Sequence, residues 1–445
     1  MYEVQLLSNS NAKICVSIPN LDIMIEEKQK FTESQGVMLA ELDNKVQFIY
    51  EIAFAKRELN GLGAKSETRL GDTIRFELIP PFDEGLLTRR LAHFRKVGQR
   101  ETEYSWIVSK NIKRSENQYL THWYYPYKGK YHPRLVRATF NIIGLRFGQT
   151  VLDPFVGSGT TTLEAHIFGL NSVGFDISPV CVIMSKVKIS AGEVAEIISQ
   201  YRDLAITAMK KEIDKIPKSS KQLQLQKLTL NSDTNFYKQF LDTIEDKRVR
   251  DFYLLAQLIF ASDRGRRSRD FGSFAKNLDN MILSAHDLTE TENRIKQDRS
   301  LGKSDIQIAN ATSLPLKDES IDAIVTSPPY SIALNYMEND KYALKELDIN
   351  IDKLSNLCIG VRGQKERRLE FYEADMEKCY AEMYRVLKYD SKCVLVIGEA
   401  KYKTIEHALD YCKNSLGFTV LENLPKKIFG LYNTISDEKV IFLQK

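Results

Sequence analysis

Two short clusters of residues have the types and spacing for chemistry. The first is Ser327-Pro328-Pro329-Tyr330, which closes the stretch "IDAIVTSPPY". Ile321, Ala323, Ile324 and Val325 form a short apolar run rich in β-branched residues and read as a strand. Two consecutive prolines end it, because neither donates to a sheet ladder. A rigid turn explains such a stop. It also lies where open α/β sheets bind ligands, outside the carboxyl end of a strand. The second cluster is "DPFVGSGT" with Asp176 downstream. Gly157 and Gly159 let backbone approach a ligand closely, and the helix that follows offers N–H groups without helical partners. No Gly-Lys-Ser/Thr follows, so this is not a P-loop, and Thr162 breaks the dinucleotide G-x-G-x-x-G pattern. Asp176 lies 19 residues after Gly157. An acid there can accept both ribose hydroxyls of an adenosine-containing cofactor, although "DISP" also reads as a helix entry with Asp176 as its cap.

The elements that must position these clusters are legible around them. "QTVLDPFVGSGTTTLEAHIFGLNSVGFDISPV" reads strand, turn, helix, turn, strand, a βαβ unit with strands at Thr150–Leu152 and Ser172–Phe175. The aromatic and basic "YLTHWYYPYKGKYHPRLVRATFNIIGL" leads into a helix starting near Pro133. Sheet periodicity returns with "DIQIANA", "IDAIVTSPP" and "CVLVIGEA", and "FTVLENL" with "KVIFLQK" reads as a closing edge hairpin. The intervening residues, from 185 to about 300, have a helical pattern; about 115 residues are too many for an ordinary loop and suggest a subdomain. The expected division is an accessory region at 1–105, a cofactor-binding part at 106–190, a helical insertion at 191–300 and a catalytic part at 301–445. Within the first, "VQFIYEIAFAKREL" and the basic "TRRLAHFRKVGQR" read as helical and "DTIRFELIPP" as a strand.

Together "DPFVGSGTT", "GFDISP" and "TSPPY" resemble the S-adenosylmethionine-dependent methyltransferases that modify exocyclic amines of DNA bases, most of all the N4-cytosine type. "HWYYPYKGKYHP" resembles the segment before the cofactor motif in that family. The resemblance covers about residues 119–190 and 305–445. It implies a class I methyltransferase-like α/β fold: a doubly wound, mostly parallel sheet with an antiparallel edge hairpin. It also implies that Asp153, Phe155, Gly157, Gly159 and Thr160 surround the methionine part of S-adenosyl-L-methionine, with Pro154, Ile177 and Ala311 beside the cofactor, and that Asp176 holds the ribose. Asn310 stands where the family commonly has Asp; its carbonyl can still accept from the adenine amine.

In that setting the first cluster gains a role. A ring amine is a poor nucleophile because its lone pair is delocalised. Two acceptors aimed at its hydrogens favour the tetrahedral geometry of attack, a case of differential transition-state binding. The resemblance assigns the Ser327 side chain and the Pro328 carbonyl as these acceptors, Pro329 as their rigid support and Tyr330 as a stacking ring. Ser at the first position goes mostly with cytosine N4 in the family, and Asp or Asn with adenine N6. A C5-cytosine enzyme needs a Pro-Cys nucleophile, and the chain has no Pro-Cys dipeptide. A base in a duplex must flip out to reach such a pocket.

The bulk properties set limits. The 445 residues are 43% hydrophobic and 27% charged, and the net charge is only +4, so nucleic-acid contact has to come from local patches. Arg264, Arg266, Arg267 and Arg269 in the insertion are candidates for phosphate or guanine contact, as is Arg362 after the catalytic stretch; a solvated basic loop is the plain alternative. Six cysteines without a C-x-x-C pair argue against zinc and suit a reducing cytoplasm. The first residues lack the pattern of a secretory signal, and no apolar run is long enough to span a membrane. The expectation is a cytoplasmic DNA methyltransferase, with a cognate restriction endonuclease as a candidate partner. The rivals are an adenine-N6 enzyme, a tRNA guanine-N2 methyltransferase (whose family usually carries Asp-Pro-Pro-Tyr) and a binding module without turnover.

Overall fold

The computed structural model describes residues 16–18, 21–23, 37–46, 49–70, 74–110, 116–127, 129–215, 235–267, 270–329, 336–363, 367–399, 403–426 and 437–445. It divides into two compact units, residues 1–112 with 134–145, and residues 113–133 with 146–445. The helix Pro133–Ile142 therefore belongs almost wholly to the first unit, whereas its sequence neighbours placed it in the cofactor-binding part.

The larger unit is built on a sheet whose described strands are β1 (Thr150–Asp153), β2 (Asn171–Asp176), β3 (Ser304–Ile308), β4 (Ile321–Thr326), β5 (Leu387–Glu399), β6 (Thr419–Pro425) and β7 (Asp437–Gln444). Their order is β3-β2-β1-β4-β5-β7-β6. The first five pair in parallel, and β7 runs antiparallel to both β5 and β6. This is the doubly wound sheet with an antiparallel edge hairpin that the sequence leads one to expect. The chain winds outward through β2 and β3, then reverses across β1 to β4. A crevice opens where winding reverses, at the carboxyl ends of β1 and β4. Asp153 ends the one and Thr326 the other.

Helix α1 (Thr160–Phe168) follows the glycine turn and α2 (Pro179–Ser190) follows Asp176, with Pro179 in its first turn. The insertion forms α3 (Ala195–Asp214), α4 (Phe236–Asp242), α5 (Lys247–Arg267) and α6 (Phe271–Ile295). Asn235 caps α4 by accepting from the Lys238 N–H at 2.8 Å, and Asp270 caps α6. These helices do not stand apart as a subdomain. Met184 and Val187 of α2, Phe252 and Leu255 of α5, Leu278 and Met281 of α6, and Ala343 and Leu344 of α7 (Tyr336–Glu346) share one buried core. A second core joins Leu152, Ile324 and Leu395 of the sheet to Met376, Tyr380 and Met383 of a later helix, Arg368–Val386. Burying such a Leu, Met or Phe fully contributes about 1.5–3 kcal/mol each.

The smaller unit contains a five-stranded antiparallel sheet, including Leu39–Leu42, Ile74–Ile79 and Phe94–Val97, and the helix Ile49–Gly61. The basic stretch read as one helix is helical only over Glu84–Arg90; Phe94–Val97 is a strand paired with Leu39–Leu42. The break has a cause. Buried Glu58 accepts from the backbone N–H groups of Ala92 and His93 at 3.0 and 3.1 Å, drawing them out of helical bonding.

Candidate active site

A cleft of about 850 Å³, counting the part open to solvent, lies at the carboxyl ends of the strands. Its wall includes Pro154, Phe155, Gly157, Asp176, Ile177, Asn310, Ala311, Ser327 and Pro329. Residues from the two chemical clusters, 150 positions and more apart in sequence, thus meet around one cavity. Clefts for small molecules combine an apolar lining with a few placed polar groups.

Asp176 sits half-buried at the end of β2. Oδ2 accepts from the Gly157 N–H at 3.0 Å and Oδ1 from the Ser178 N–H at 2.8 Å. The turn reading and the ligand reading of this acid are therefore compatible, since each oxygen has a second lone pair. Burial pushes the carboxyl up to about 6 against the pull of those two donors, with Asp340 and Asp153 adding to the rise. Asn310 likewise folds its own turn, Oδ1 accepting from the Thr312 N–H at 3.0 Å, while its side of the cleft continues into Ala311.

Four residues expected in the wall lie behind it. Asp153 is wholly buried and accepts from Thr326 Oγ1 and Thr161 Oγ1, each at 2.6 Å, from the Phe155 N–H at 3.1 Å and from the Tyr131 hydroxyl at 3.3 Å. Burial raises its pKa and these donors oppose the rise. It ties strand ends together and does not line the cleft. Gly159 has φ of 73°, and a Cβ there would lie 2.9 Å from the Ser185 Cα, so this glycine serves the seating of α1 against α2. Thr160 is buried in the first turn of α1, and its hydroxyl pairs with Ser158 at 3.1 Å. Pro328 is buried between the two wall residues Ser327 and Pro329. Tyr330 lies outside the described residues.

Ser327 Oγ donates to the Val396 carbonyl of β5 at 3.0 Å. With its proton spent there, the oxygen turns lone pairs toward other partners. The Tyr372 hydroxyl donates to the Pro329 carbonyl at 3.0 Å and pins the stretch from the far side.

Tyr127 and Lys130, from the aromatic stretch that resembles the family's segment before the cofactor motif, line the cleft, and so do Cys181, Asp340 and Cys358, which carried no sequence signal that set them apart. Lys130 Nζ donates to the Asn117 and His122 carbonyls at 2.8 and 2.9 Å, and burial lowers its pKa to about 7. Behind the glycine turn, the buried Lys188 Nζ donates to the Ser158 carbonyl at 2.7 Å; burial holds its pKa well below the usual lysine value. Burial also lowers His122, hydrogen-bonded to Glu164 at 2.8 Å, to about 3.

The arginines fare differently from expectation. Arg264 is 6% exposed, with its guanidinium 5.7 Å from the Phe260 ring, so it is packed inside and not offered to a polyanion. Arg266 Nη2 lies 4.0 Å from Asp340 Oδ1. Arg362 pairs with Asp375 at 2.7 Å and lies over the Phe371 ring. The side chain of Arg267 and all of Arg269 lie outside the described residues. No helix of the described residues is long and apolar enough to cross a membrane, and among them no cluster of His, Cys, Asp and Glu could hold a metal.

The family model of the N6/N4 DNA methylases matches residues 20–186. The match takes in residues 20–118, which the sequence motifs left outside the resemblance, and stops before Ser327. Type II methyltransferase M.BsoBI of Geobacillus stearothermophilus is 23% identical over 389 residues, covering 75% of this chain and 72% of that protein. Type II methyltransferase M.MjaII of Methanocaldococcus jannaschii is 24% identical over 408 residues, covering 66% and 75%. A tRNA (guanine(10)-N2)-dimethyltransferase of Methanothermobacter thermautotrophicus is 33% identical, but over only 95 residues, 21% of this chain. The chain is thus similar to the N6/N4 DNA methylases over residues 20–186 and to type II methyltransferases over about two thirds to three quarters of its length.

Proposed function

We propose that the protein methylates the N4 amine of cytosine in DNA, using S-adenosyl-L-methionine. The observation that carries this is the Ser327 hydroxyl in the wall of the cleft, its proton held by the Val396 carbonyl, in the same cavity as Asp176.

The residues present suit the cofactor. Asp176 offers carboxylate lone pairs for the ribose hydroxyls, Ile177 and Ala311 supply apolar surface for the adenine, and Phe155 and Gly157 border the remainder. Bound there, the cofactor supplies an electrophilic methyl group. The chain's own work is to hold and polarise the acceptor amine. Ser327 Oγ accepts one of its hydrogens from the wall, the Pro328 carbonyl turns into the cleft from behind the wall to accept the other, and together they draw the nitrogen toward a tetrahedral shape, which strengthens in the transition state. The prolines remove backbone freedom from these acceptors. The resemblance assigns Tyr330 to stack on the base. No base is needed before attack, because the proton leaves once the nitrogen is methylated. In duplex DNA the target cytosine is flipped out of the stack. A cognate restriction endonuclease is the candidate partner of such a modification enzyme.

Adenine N6 is the alternative amine, since the acceptor pair serves it equally. The 95-residue likeness to a tRNA enzyme gives a second substrate class to test. Radiolabelled cofactor incubated with unmodified DNA and, separately, unmodified tRNA distinguishes them: label in DNA alone is expected, and label in tRNA alone overturns the DNA reading.

A further inference from the structure

Resting on that reading of the cleft, we infer that Asp340 lets the site distinguish the cationic cofactor from its uncharged product, and so limits product inhibition. Asp340 lies in the cleft wall on α7, the helix after the catalytic stretch, and is 3% exposed. Its Oδ1 accepts from the Tyr125 hydroxyl at 2.9 Å. Tyr125 is a neutral donor, burial holding its pKa well above the ordinary value. The nearest described cation, Arg266, stays 4.0 Å away, beyond hydrogen-bond reach, and its buried Nη2 has no hydrogen-bond partner among the described residues. The charge of Asp340 is thus held in place but incompletely compensated.

This placement is built from three segments. Tyr125 comes from the aromatic stretch ahead of β1. Arg266 comes from α5 of the insertion, where a Cβ at Gly265 would overlap the Tyr342 ring of α7, so only glycine lets these two helices approach this closely. Asp340 itself lies 13 positions after Ser327, in the second turn of α7. Among the described residues, the other charged groups of the wall are Asp176 and Lys130. Burial lowers the Lys130 pKa to about 7, so it offsets the two carboxyls only in part at neutral pH.

Methyl transfer breaks the sulfur–methyl bond with its electron pair left on sulfur. The amine nitrogen gains the methyl and releases a proton to water. The ligand in the cleft therefore loses one positive charge without changing its adenosine or its amino-acid part. A fixed, incompletely compensated carboxylate favours the charged form over the neutral one, because Coulomb interaction is less screened beside protein than in bulk water.

The test is a binding titration, by calorimetry, of the wild-type protein and Asp340→Asn with three ligands. They are S-adenosylmethionine, its thioether product S-adenosylhomocysteine, and sinefungin, an unreactive analogue with an amine in place of the sulfonium. Asn keeps the size of Asp and can still accept from Tyr125. The variant should bind the two cations about tenfold more weakly and the thioether less than threefold more weakly. Equal weakening of all three, or no change in any, overturns the inference while leaving the cofactor reading intact. A wild-type protein that binds none of the three overturns the cofactor reading itself. Arg266→Gln should act in the opposite sense and raise the preference for sinefungin over the thioether by about threefold; a lowered preference counts against the inference.

Discussion

Thr326 donates to Asp153 at 2.6 Å, joining the carboxyl ends of β4 and β1 across 173 positions of sequence. The bond locks the strand that delivers Ser327 to the strand that delivers the glycine turn. Thr326→Val removes one of four donors to a buried carboxylate. The expected loss of stability is about 1–3 kcal/mol, read as a lowered Tm. An unchanged Tm would show that the strand ends are held by the sheet alone.

Ser327→Ala removes an acceptor that acts on the target amine and touches the cofactor region only at its border. Methyl transfer should fall about 100-fold, the scale of losing one transition-state contact of this type, with the cofactor Kd within twofold of the wild type. Equal loss of binding and transfer would mean that Ser327 shapes the cofactor site and not the amine.

Asp176 and Asp340 are both pushed up to about 6, chiefly by burial. Ribose hydroxyls need a charged Asp176, and a cationic ligand favours a charged Asp340. Cofactor affinity should therefore rise about tenfold or more between pH 5 and pH 7, with its midpoint near 6. The groups facing them are Asp153, Arg266 and the Tyr125 hydroxyl. Asp176→Asn should remove part of this rise and the double Asn variant nearly all of it; a wild-type affinity independent of pH would refute the assignment.

Stability of the free protein has the opposite dependence. A carboxyl whose folded pKa is raised contributes fully below its unfolded value near 4 and loses that contribution as pH rises through about 6. Asp340→Asn should stabilise the free protein at pH 8 by about 2 kcal/mol and have little effect at pH 4, measured by thermal melting.

Arg264 offers a contrast with surface arginines. It sits in the helical core, where burial lowers its pKa and the charges of Glu346 and Glu212 oppose that shift. Arg264→Ala should cost about 2 kcal/mol or more, because it opens space in the helical core beside the Phe260 ring. The salt dependence of DNA binding should keep its slope. A shallower slope with normal stability would restore Arg264 to the DNA surface.

The sheet was legible because its strands are short apolar runs ended by Asp153, Asp176 and the proline pair. Both chemical clusters fall at carboxyl ends, where topology alone puts ligands. The cleft's far wall was not legible. Asp340 lies among exposed charges in "YMENDKYALKELD", and nothing local separates it from Glu338 or Lys341. Arg264 was legible in principle. Val249, Tyr253, Ala256, Phe260 and Arg264 fall on one face at helical spacing, and α5 carries that face beyond the last apolar residue into "SDRGRR". Gly159 was assigned to ligand approach, whereas Ser185, distant in sequence but adjacent in space, is what excludes a side chain there.

The central claim is the identity of the methylated amine. Unmodified DNA treated with the protein and S-adenosylmethionine should be digested to nucleosides and analysed by mass spectrometry. N4-methylcytosine is the predicted product. N6-methyladenine in its place would leave the amine mechanism standing and contradict the choice of cytosine drawn from Ser327.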